Sequence, residues 1–235
     1  MRSFSRLVLL SGVLLSLPGV ALAALTDEDM CRNGLFPSEA QDARIATFAG
    51  PAQSRLYFFR DMDGCPSAGT QCQSKSYVVP GDELIVAKRH GDWACAWYPG
   101  KQRETVGWVL AQQLRFVDAE QQPAWEGTWK QYDYPGYINI AFKSGHYYVL
   151  GNTKWIGAKL ADGTRVEHLG SLDGELLVQG NTAHLGGNPS HPDSEFDCVA
   201  DLVRVGRFLI VHDNANCGGL NVRFDGVYTL RSSHK

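Results

Sequence analysis

The sequence has no excess of basic side chains, and this absence limits the partners that the protein can bind. Its 235 residues contain 22 lysines and arginines against 25 aspartates and glutamates. Arg2 and Arg6 lie in a predicted signal peptide, and without them 20 basic side chains face 25 acidic ones, a formal charge of −5. A protein that binds nucleic acid needs a basic face that displaces counterions from the phosphates. We therefore expect no nucleic acid among the partners.

Short motifs that identify common catalytic and metal sites are also absent from the sequence. There is no Gly-x-Ser-x-Gly nucleophile elbow, no His-x-x-x-His pair and no aspartate-rich calcium loop. No two cysteines have the two-residue spacing of a zinc knuckle. Pro189 and Pro192 flank His191 in a run of turn-forming residues, which indicates a loop. We predict no catalytic set, no metal site and no cofactor.

The region 125–235 has no long stretch with the apolar period of a helix. It contains short apolar segments separated by Gly, Asn or Asp, which is typical of sequential hairpins. The predicted strands are 125–129, 137–142, 146–150, 155–160, 165–169, 175–179, 200–205, 208–212 and 221–230. An antiparallel meander of about eight strands removes its open edges by closing into a barrel, so we predict a barrel here.

A smaller β-unit is predicted between Tyr77 and Leu114. Turns at Pro80-Gly81-Asp82, His90-Gly91-Asp92 and Pro99-Gly100 separate three short apolar strands, at 84–87, 93–98 and 105–109. Strands this short do not fold alone as a flat sheet. We predict a small, strongly bent barrel that buries Ile85, Trp97, Trp108 and Leu114 together.

Two family resemblances accompany these patterns. The series Pro80-Gly81-Asp82, Gly91-Asp92-Trp93, Gly107-Trp108-Val109 and Gln113-Leu114 resembles the bacterial Src-homology-three-like domain, across about residues 55–117. This resemblance implies a binding or scaffolding module with peptide or cell-wall ligands. A loop between Cys65 and Cys72 departs from that family's minimal pattern. The tripeptide Gly127-Thr128-Trp129 is similar to the Gly-x-Trp of lipocalin-type barrels, and this resemblance allows, but does not require, a lipocalin-like cavity in the second barrel.

The chain is therefore predicted to be all-β, with a small Src-homology-three-like barrel followed by an antiparallel meander that closes into a second barrel. The predicted divisions are a signal peptide at 1–23, an N-terminal leader at 24–54, the first barrel at 55–117, a linker at 118–124 and the lipocalin-like barrel at 125–235. The linker is polar, lacks a periodic apolar pattern and contains Pro123.

The first 23 residues predict export from the cytoplasm. Arg2 and Arg6 precede an apolar run, and Ala21-Leu22-Ala23 forms a small-residue cleavage site. The residue directly after this site is Ala24 and not a cysteine, so we expect a periplasmic or secreted protein without a lipid anchor or membrane insertion. Six cysteines in an oxidising compartment favour disulfides. The predicted pairs are Cys65–Cys72, Cys198–Cys217 and Cys31–Cys95.

The segment Asp213–Gly219 is richer in turn residues than one hairpin requires. It is either a long loop pinned by Cys217 or a rigid rim loop whose amides contact a partner. Tyr147 and Tyr148 point to opposite faces of one strand, so some tyrosine surface is exposed. The predicted binding residues are Asn214, Asn216, Gly218, Tyr134 and Tyr148.

These patterns predict an exported, non-enzymatic periplasmic binding protein. Its partner is expected to be a protein or a peptidoglycan fragment, so that it recognises cell-wall material or inhibits a wall-degrading protein, as lysozyme inhibitors and immunity proteins do. One alternative is a hydrolase with an unrecognised site, for which His191 and Asp213 are the first candidates. They belong to the stretch richest in acid–base groups, with His184, Asp193, Glu195, Asp197 and His212. The other alternative is a carrier of a small apolar molecule in the second barrel.

Overall fold

The computed structural model describes residues 30–31, 42–101, 103–118, 123–186 and 197–231. The predicted signal peptide and the loop around His191 lie outside these residues. Within them, the regular structure consists of fifteen strands and two short 3-10 turns, at Thr70–Cys72 and Ala111–Gln113. The predicted all-β fold is confirmed.

Seven strands form one antiparallel sheet in the N-terminal half. They are β1 Arg44–Phe48, β2 Leu56–Phe59, β3 Gln73–Val78, β4 Glu83–His90, β5 Trp93–Tyr98, β6 Thr105–Leu110 and β7 Leu114–Phe116. Their order in the sheet is β3-β2-β6-β5-β4-β1-β7. Strand β1 lies in the range predicted as a leader, yet it pairs with β4 through Ile45 and Ile85 and with β7 through Ala46 and Phe116. The sheet therefore begins before Arg55.

The two faces of this sheet bury different residues. Val86 pairs with Ala96 and both face a core shared with Leu84, Phe58 and Val109. The side chains of Ile85 and Trp97, one position along, point to the opposite face because successive residues of a strand alternate. There Trp108 packs on the Cys31–Cys95 disulfide. The predicted common core of Ile85, Trp97, Trp108 and Leu114 is therefore wrong, since these residues lie in three different clusters.

The C-terminal half forms the predicted closed barrel of eight antiparallel strands. They are β8 Gly127–Gln131, β9 Tyr137–Lys143, β10 His146–Lys159, β11 Arg165–Gln179, β12 Thr182–Leu185, β13 Ala200–Val205, β14 Phe208–Asp213 and β15 Gly226–Leu230. Each strand pairs with the next, and β15 pairs with β8 to close the barrel. Fully buried side chains fill its interior: Trp129, Ile138, Leu172, Leu202, Leu209, Phe224 and Tyr228.

A buried hydrophobic cluster joins the two units. Trp97 of the sheet makes edge-on ring contacts with Phe208 and Tyr132 of the second unit, at centroid distances of 5.5 Å and 5.2 Å. The cluster also contains Ala43, Ile45 and Ile85 from the sheet and Val203, Val205, Ile210 and Val227 from the barrel. The outer side of β13, β14 and β15 is therefore covered by the first unit.

Polar groups of Glu104 and its neighbours border this cluster. The indole N–H of Trp97 donates to Glu104 Oε2 at 2.6 Å, and the Glu104 amide donates to Asp133 Oδ2 at 2.8 Å. The Tyr132 hydroxyl donates to the carbonyl of Gly100. Burial raises the pKa of the Glu104 carboxyl above its ordinary value of 4.5; the Trp97 N–H opposes this effect, and the charge of Asp133 adds to it.

Replacing Glu104 with Gln should make the stability of the protein less sensitive to pH. The folded state holds the Glu104 proton more tightly than the unfolded state, so wild type loses stability as pH rises from 4.5 through the raised pKa. The Gln variant has no such proton and should gain stability relative to wild type over that window. Urea unfolding at about pH 4 and about pH 7 measures the difference. The exposed Glu126→Gln is the control, and an equal Glu104→Gln effect at both pH values would contradict the prediction.

Three disulfides cross-link the described residues, and they are the three pairs that the sequence predicts. Cys31 bonds to Cys95, Cys65 to Cys72, and Cys198 to Cys217. Such bonds are consistent with an oxidising environment outside the cytoplasm. The described part of the chain contains no helix that is long and apolar enough to cross a membrane.

Candidate binding surface

The rim loop, residues 214–220 between β14 and β15, is fixed to the barrel wall. Its Cys217 is bonded to Cys198, which precedes β13. The Ser171 amide donates to the Cys217 carbonyl at 2.9 Å, and the Gly219 amide donates to the Leu169 carbonyl at 3.0 Å. The loop thus extends the sheet beside β11 and is ordered before any partner arrives.

Two glycines permit this close pairing of loop and strand. Gly170 and Gly218 form an isolated antiparallel bridge. A Cβ atom on Gly218 would lie 2.7 Å from the Gly170 Cα, and one on Gly170 would lie 2.7 Å from the Cys217 carbonyl oxygen. Neither glycine tolerates a side chain without displacing backbone. Gly218, a predicted binding residue, is therefore needed for the packing of the loop.

Asn214 also acts within the loop. Its side-chain oxygen accepts hydrogen bonds from the amides of Val199 and Asn216, both at 3.1 Å. Its side-chain nitrogen donates to the Asp197 carbonyl at 2.7 Å. These bonds explain why Asn occupies this position, since an Asn side chain can bond back to nearby backbone. Asn214 is exposed but its amide is occupied, so its substitution would disturb the loop as well as any contact.

Buried charges anchor both ends of the loop. The Asp213 carboxylate is 1% exposed and accepts hydrogen bonds from the amides of Ala215 and Phe224 and from Arg223 Nε. Arg223 also contacts Asp225, whose Oδ1 accepts from the Asp213 amide at 2.8 Å. Burial raises the pKa of Asp225. Asp213, a candidate for the hydrolase alternative, is thus held by structural contacts.

The outward-facing residues of β9, β10 and β11 form a continuous exposed surface beside the rim loop. We call this surface the outer face. It consists of Tyr137, Asn139, Tyr148, Leu150, Asn152, Leu169, Ser171, Asp173 and Glu175. Leu150 is 52% exposed and Leu169 is 68% exposed. Two large apolar side chains with this exposure on one surface are typical of an interaction site. Tyr147, which alternates to the inner side, packs against the barrel core instead.

A depression of about 520 Å³ lies where the outer face meets the rim loop. Asn152, Leu169 and Ser171 line it from the strands, and Asn216 and Gly218 line it from the loop. The Asn152 side chain donates to the Tyr137 hydroxyl at 3.1 Å, which orients that amide across the strands. The site therefore combines amide, hydroxyl and apolar groups on a fixed backbone.

The structure brings together three of the five predicted binding residues. Asn216 and Gly218 line the depression, and Tyr148 lies on the outer face. Tyr134 lies in the turn between β8 and β9, outside this surface. The outer-face residues Leu150, Leu169 and Asp173 are not among the residues that the sequence predicts. Strict alternation along β10 and β11 is the signal that could have identified them.

Comparisons with known proteins identify no relative. A scan against models of protein families, a search of curated proteins and a search of solved structures each found no match to this chain. The resemblances to Src-homology-three-like domains and to lipocalins therefore remain predictions from the sequence motifs.

A second depression, of about 570 Å³, surrounds a histidine–carboxylate pair on β12 and β13. His184 Nδ1 lies 2.7 Å from Asp201 Oδ1. The nearby Thr182 hydroxyl donates to the Gln179 carbonyl, so it is engaged with backbone. Within the described residues, no group of three or more His, Cys, Asp or Glu side chains could hold a metal ion. His191, the other hydrolase candidate, lies outside the described residues.

Proposed function

We propose that the protein is exported to the periplasm and acts there as a non-enzymatic binding protein. Its partner is cell-wall material or a wall-degrading protein, which it would inhibit by occupying the active site. The predicted signal peptide and the three disulfides support a location outside the cytoplasm. The resemblance of residues 55–117 to cell-wall-associated modules supports the class of partner.

One observation carries this proposal: the outer face is exposed and lies beside a loop that is already ordered. A disulfide and two backbone hydrogen bonds fix Cys217 and Gly219 against β11. A partner that binds there does not have to immobilise a flexible segment, so its contacts are not offset by that entropy. Tyrosine is enriched at protein interfaces, and tyrosine, serine and asparagine are enriched in the binding loops of antibodies.

The packing of the barrel favours a binder over a carrier. The side chains of Trp129, Leu172 and Phe224 occupy the interior and are fully buried. A carrier of an apolar molecule holds its ligand in a lined cavity, as barrels with open interiors do. Recognition through the outer surface suits a filled barrel better.

The protein without its signal peptide should bind purified peptidoglycan sacculi or inhibit a lysozyme, and it should not itself release wall fragments. Sedimentation with sacculi measures the first activity, and the rate of wall lysis by lysozyme measures the second. His191→Ala should change neither activity, whereas Leu169→Ala should reduce the one observed, because it removes an exposed apolar contact at the edge of the depression. Tyr134→Ala, on an exposed turn outside the outer face, is the matched control.

A different result would support the hydrolase. If the protein releases fragments from sacculi, and His191→Ala abolishes the release while Leu169→Ala retains it, then the protein is an enzyme and our proposal is wrong. Uptake of an apolar dye, with no affinity for sacculi or lysozyme, would support the carrier instead.

A further inference from the structure

The barrel has one covered side and one exposed side. The first unit covers the outward residues Val203, Phe208 and Val227 of β13, β14 and β15. On β9, β10 and β11 the outward residues remain exposed, including Tyr137 at 44% and Tyr148 at 42%. Exposed apolar and aromatic side chains that share one face of a sheet with polar groups commonly mark an interaction site. The question is therefore which partner fits it.

The two charged side chains of the outer face, Asp173 and Glu175, are both acidic. Asp173 lies opposite Leu150, and Glu175 lies opposite Tyr148. The two acids are two residues apart on β11, so both point outward with their Cα atoms about 7 Å apart. Among the ion pairs between described residues, none includes Asp173. Its carboxylate is exposed and available to a cation from outside.

Of the two acids, Asp173 has no ion pair with a described residue, whereas Glu175 is paired with His146. His146 contacts Glu175 at 2.5 Å from the edge of the sheet, and Lys154 is paired with Glu167 at 3.1 Å, further along the strands. The apolar side chains of Tyr148 and Leu150 stand directly beside the acids across the strand pair. A lysine or arginine from a partner would therefore find a carboxylate for its charge and an apolar surface for its hydrocarbon stem.

We propose that the outer face binds a basic protein, and that lysine or arginine side chains of this partner contact Asp173 and Glu175. This inference rests on the proposed binding function and selects the protein partner over the peptidoglycan fragment. The aromatic and apolar residues supply the buried contact, while the two acids guide association and fix the orientation. The rim loop forms one edge of the interface, through Asn216.

A strongly basic lysozyme is a suitable probe, with the same lysozyme acetylated on its lysines as the matched probe without that charge. Calorimetry should show binding to the native lysozyme and weaker binding to the acetylated one, which keeps only its arginine charges. The isosteric double variant Asp173→Asn/Glu175→Gln should weaken binding by about tenfold or more, since it removes two charges without changing shape. The affinity of wild type should also fall between about 0.05 M and about 0.5 M salt.

Two further double variants separate the contributions of charge and of apolar contact to lysozyme binding. Asp63→Asn/Asp92→Asn also removes two exposed acids, but from the first unit, and should leave binding unchanged. Tyr148→Ala/Leu150→Ala should weaken binding with little change in its salt dependence, because it removes apolar contact and leaves the charges. Circular dichroism and thermal unfolding of each variant establish that the fold is intact.

The outcomes distinguish this inference from the proposed function. Binding to native lysozyme that survives Asp173→Asn/Glu175→Gln would overturn the inference and leave the binding function standing. Binding to sacculi alone would do the same, with peptidoglycan as the partner. No binding to lysozyme or to sacculi would count against both proposals.

Discussion

Trp97→Ala should destabilise both units at once, by about 3–5 kcal/mol. Trp97 is fully buried between the sheet and the barrel, where its ring contacts Phe208 and Tyr132 and its N–H donates to Glu104. Truncation leaves a cavity in the shared cluster and an unsatisfied carboxylate at its border. Calorimetry should show a fall of about 10 °C in the melting temperature, in a transition that includes the barrel.

Trp155→Ala is the matched control for this variant. Trp155 is partly exposed on β10, where it stacks on His168 across the hairpin at 5.3 Å. Its truncation removes the same atoms from a site outside the shared cluster. Trp155→Ala should therefore lower the free energy of unfolding by less than half as much as Trp97→Ala. If Trp97→Ala instead lowers the melting temperature of the sheet and leaves a separate barrel transition unchanged, the two units do not depend on the shared cluster.

Removal of the Cys31–Cys95 disulfide should be the most destabilising of the three disulfide losses. The bond closes a loop with a sequence separation of 64, and the chain-entropy treatment assigns such a loop about 4 kcal/mol. Both sulfurs are buried against Trp108, so Cys31→Ala/Cys95→Ala also removes apolar contact from that cluster. Unfolding in urea under oxidising conditions measures the loss.

The Cys65–Cys72 bond supplies the comparison, because it closes a loop with a separation of only 7. Its removal as Cys65→Ala/Cys72→Ala should cost about 2 kcal/mol by the same treatment. An equal or greater loss for this shorter loop would show that local contacts, and not the entropy of the unfolded chain, determine the ranking.

The sequence predicted the closed barrel but not the length of its two longest strands. The predicted strands 146–150 and 155–160 belong to one strand, β10, and 165–169 and 175–179 belong to β11. The sequence pattern places interruptions at Gly151 and Gly174, where the strands in fact continue. Position 151 of β10 is occupied by glycine because a Cβ atom there would lie only 3.1–3.3 Å from Phe224, Leu172 and Ile138. Glycine in that strand therefore serves close packing, which short-range patterns do not separate from a turn.

The core of the first unit was harder to predict because a strand buried on both faces does not alternate. Residues 93–98 are partly or wholly buried at every position, so hydrophobicity does not show which side each residue faces. The second face of β5 is apolar because the barrel covers it, and that contact joins residues more than 100 positions apart. No local pattern encodes such a contact.

The candidate surface was predicted only where local sequence determines it, at the rim loop. The density of turn residues around Asn216 and Gly218 indicated the rim loop, and its disulfide followed from the cysteine pairing. Leu150, Leu169 and Asp173 come from two different strands, and they form one surface only through the register of β10 with β11. That register includes an irregularity between Ile156 and Lys159, which the sequence pattern does not show.

The shared cluster around Trp97 also affects how the protein could engage a large partner. Because buried contacts join the two units, the loop closed by Cys65 and Cys72 and the outer face of the barrel are restricted in their relative movement. A partner that touches both regions would make its second contact without a search through linker conformations. Two contacts of this kind increase the affinity only for a partner whose two binding regions are separated by the same distance. The shared cluster would therefore select partners by their size.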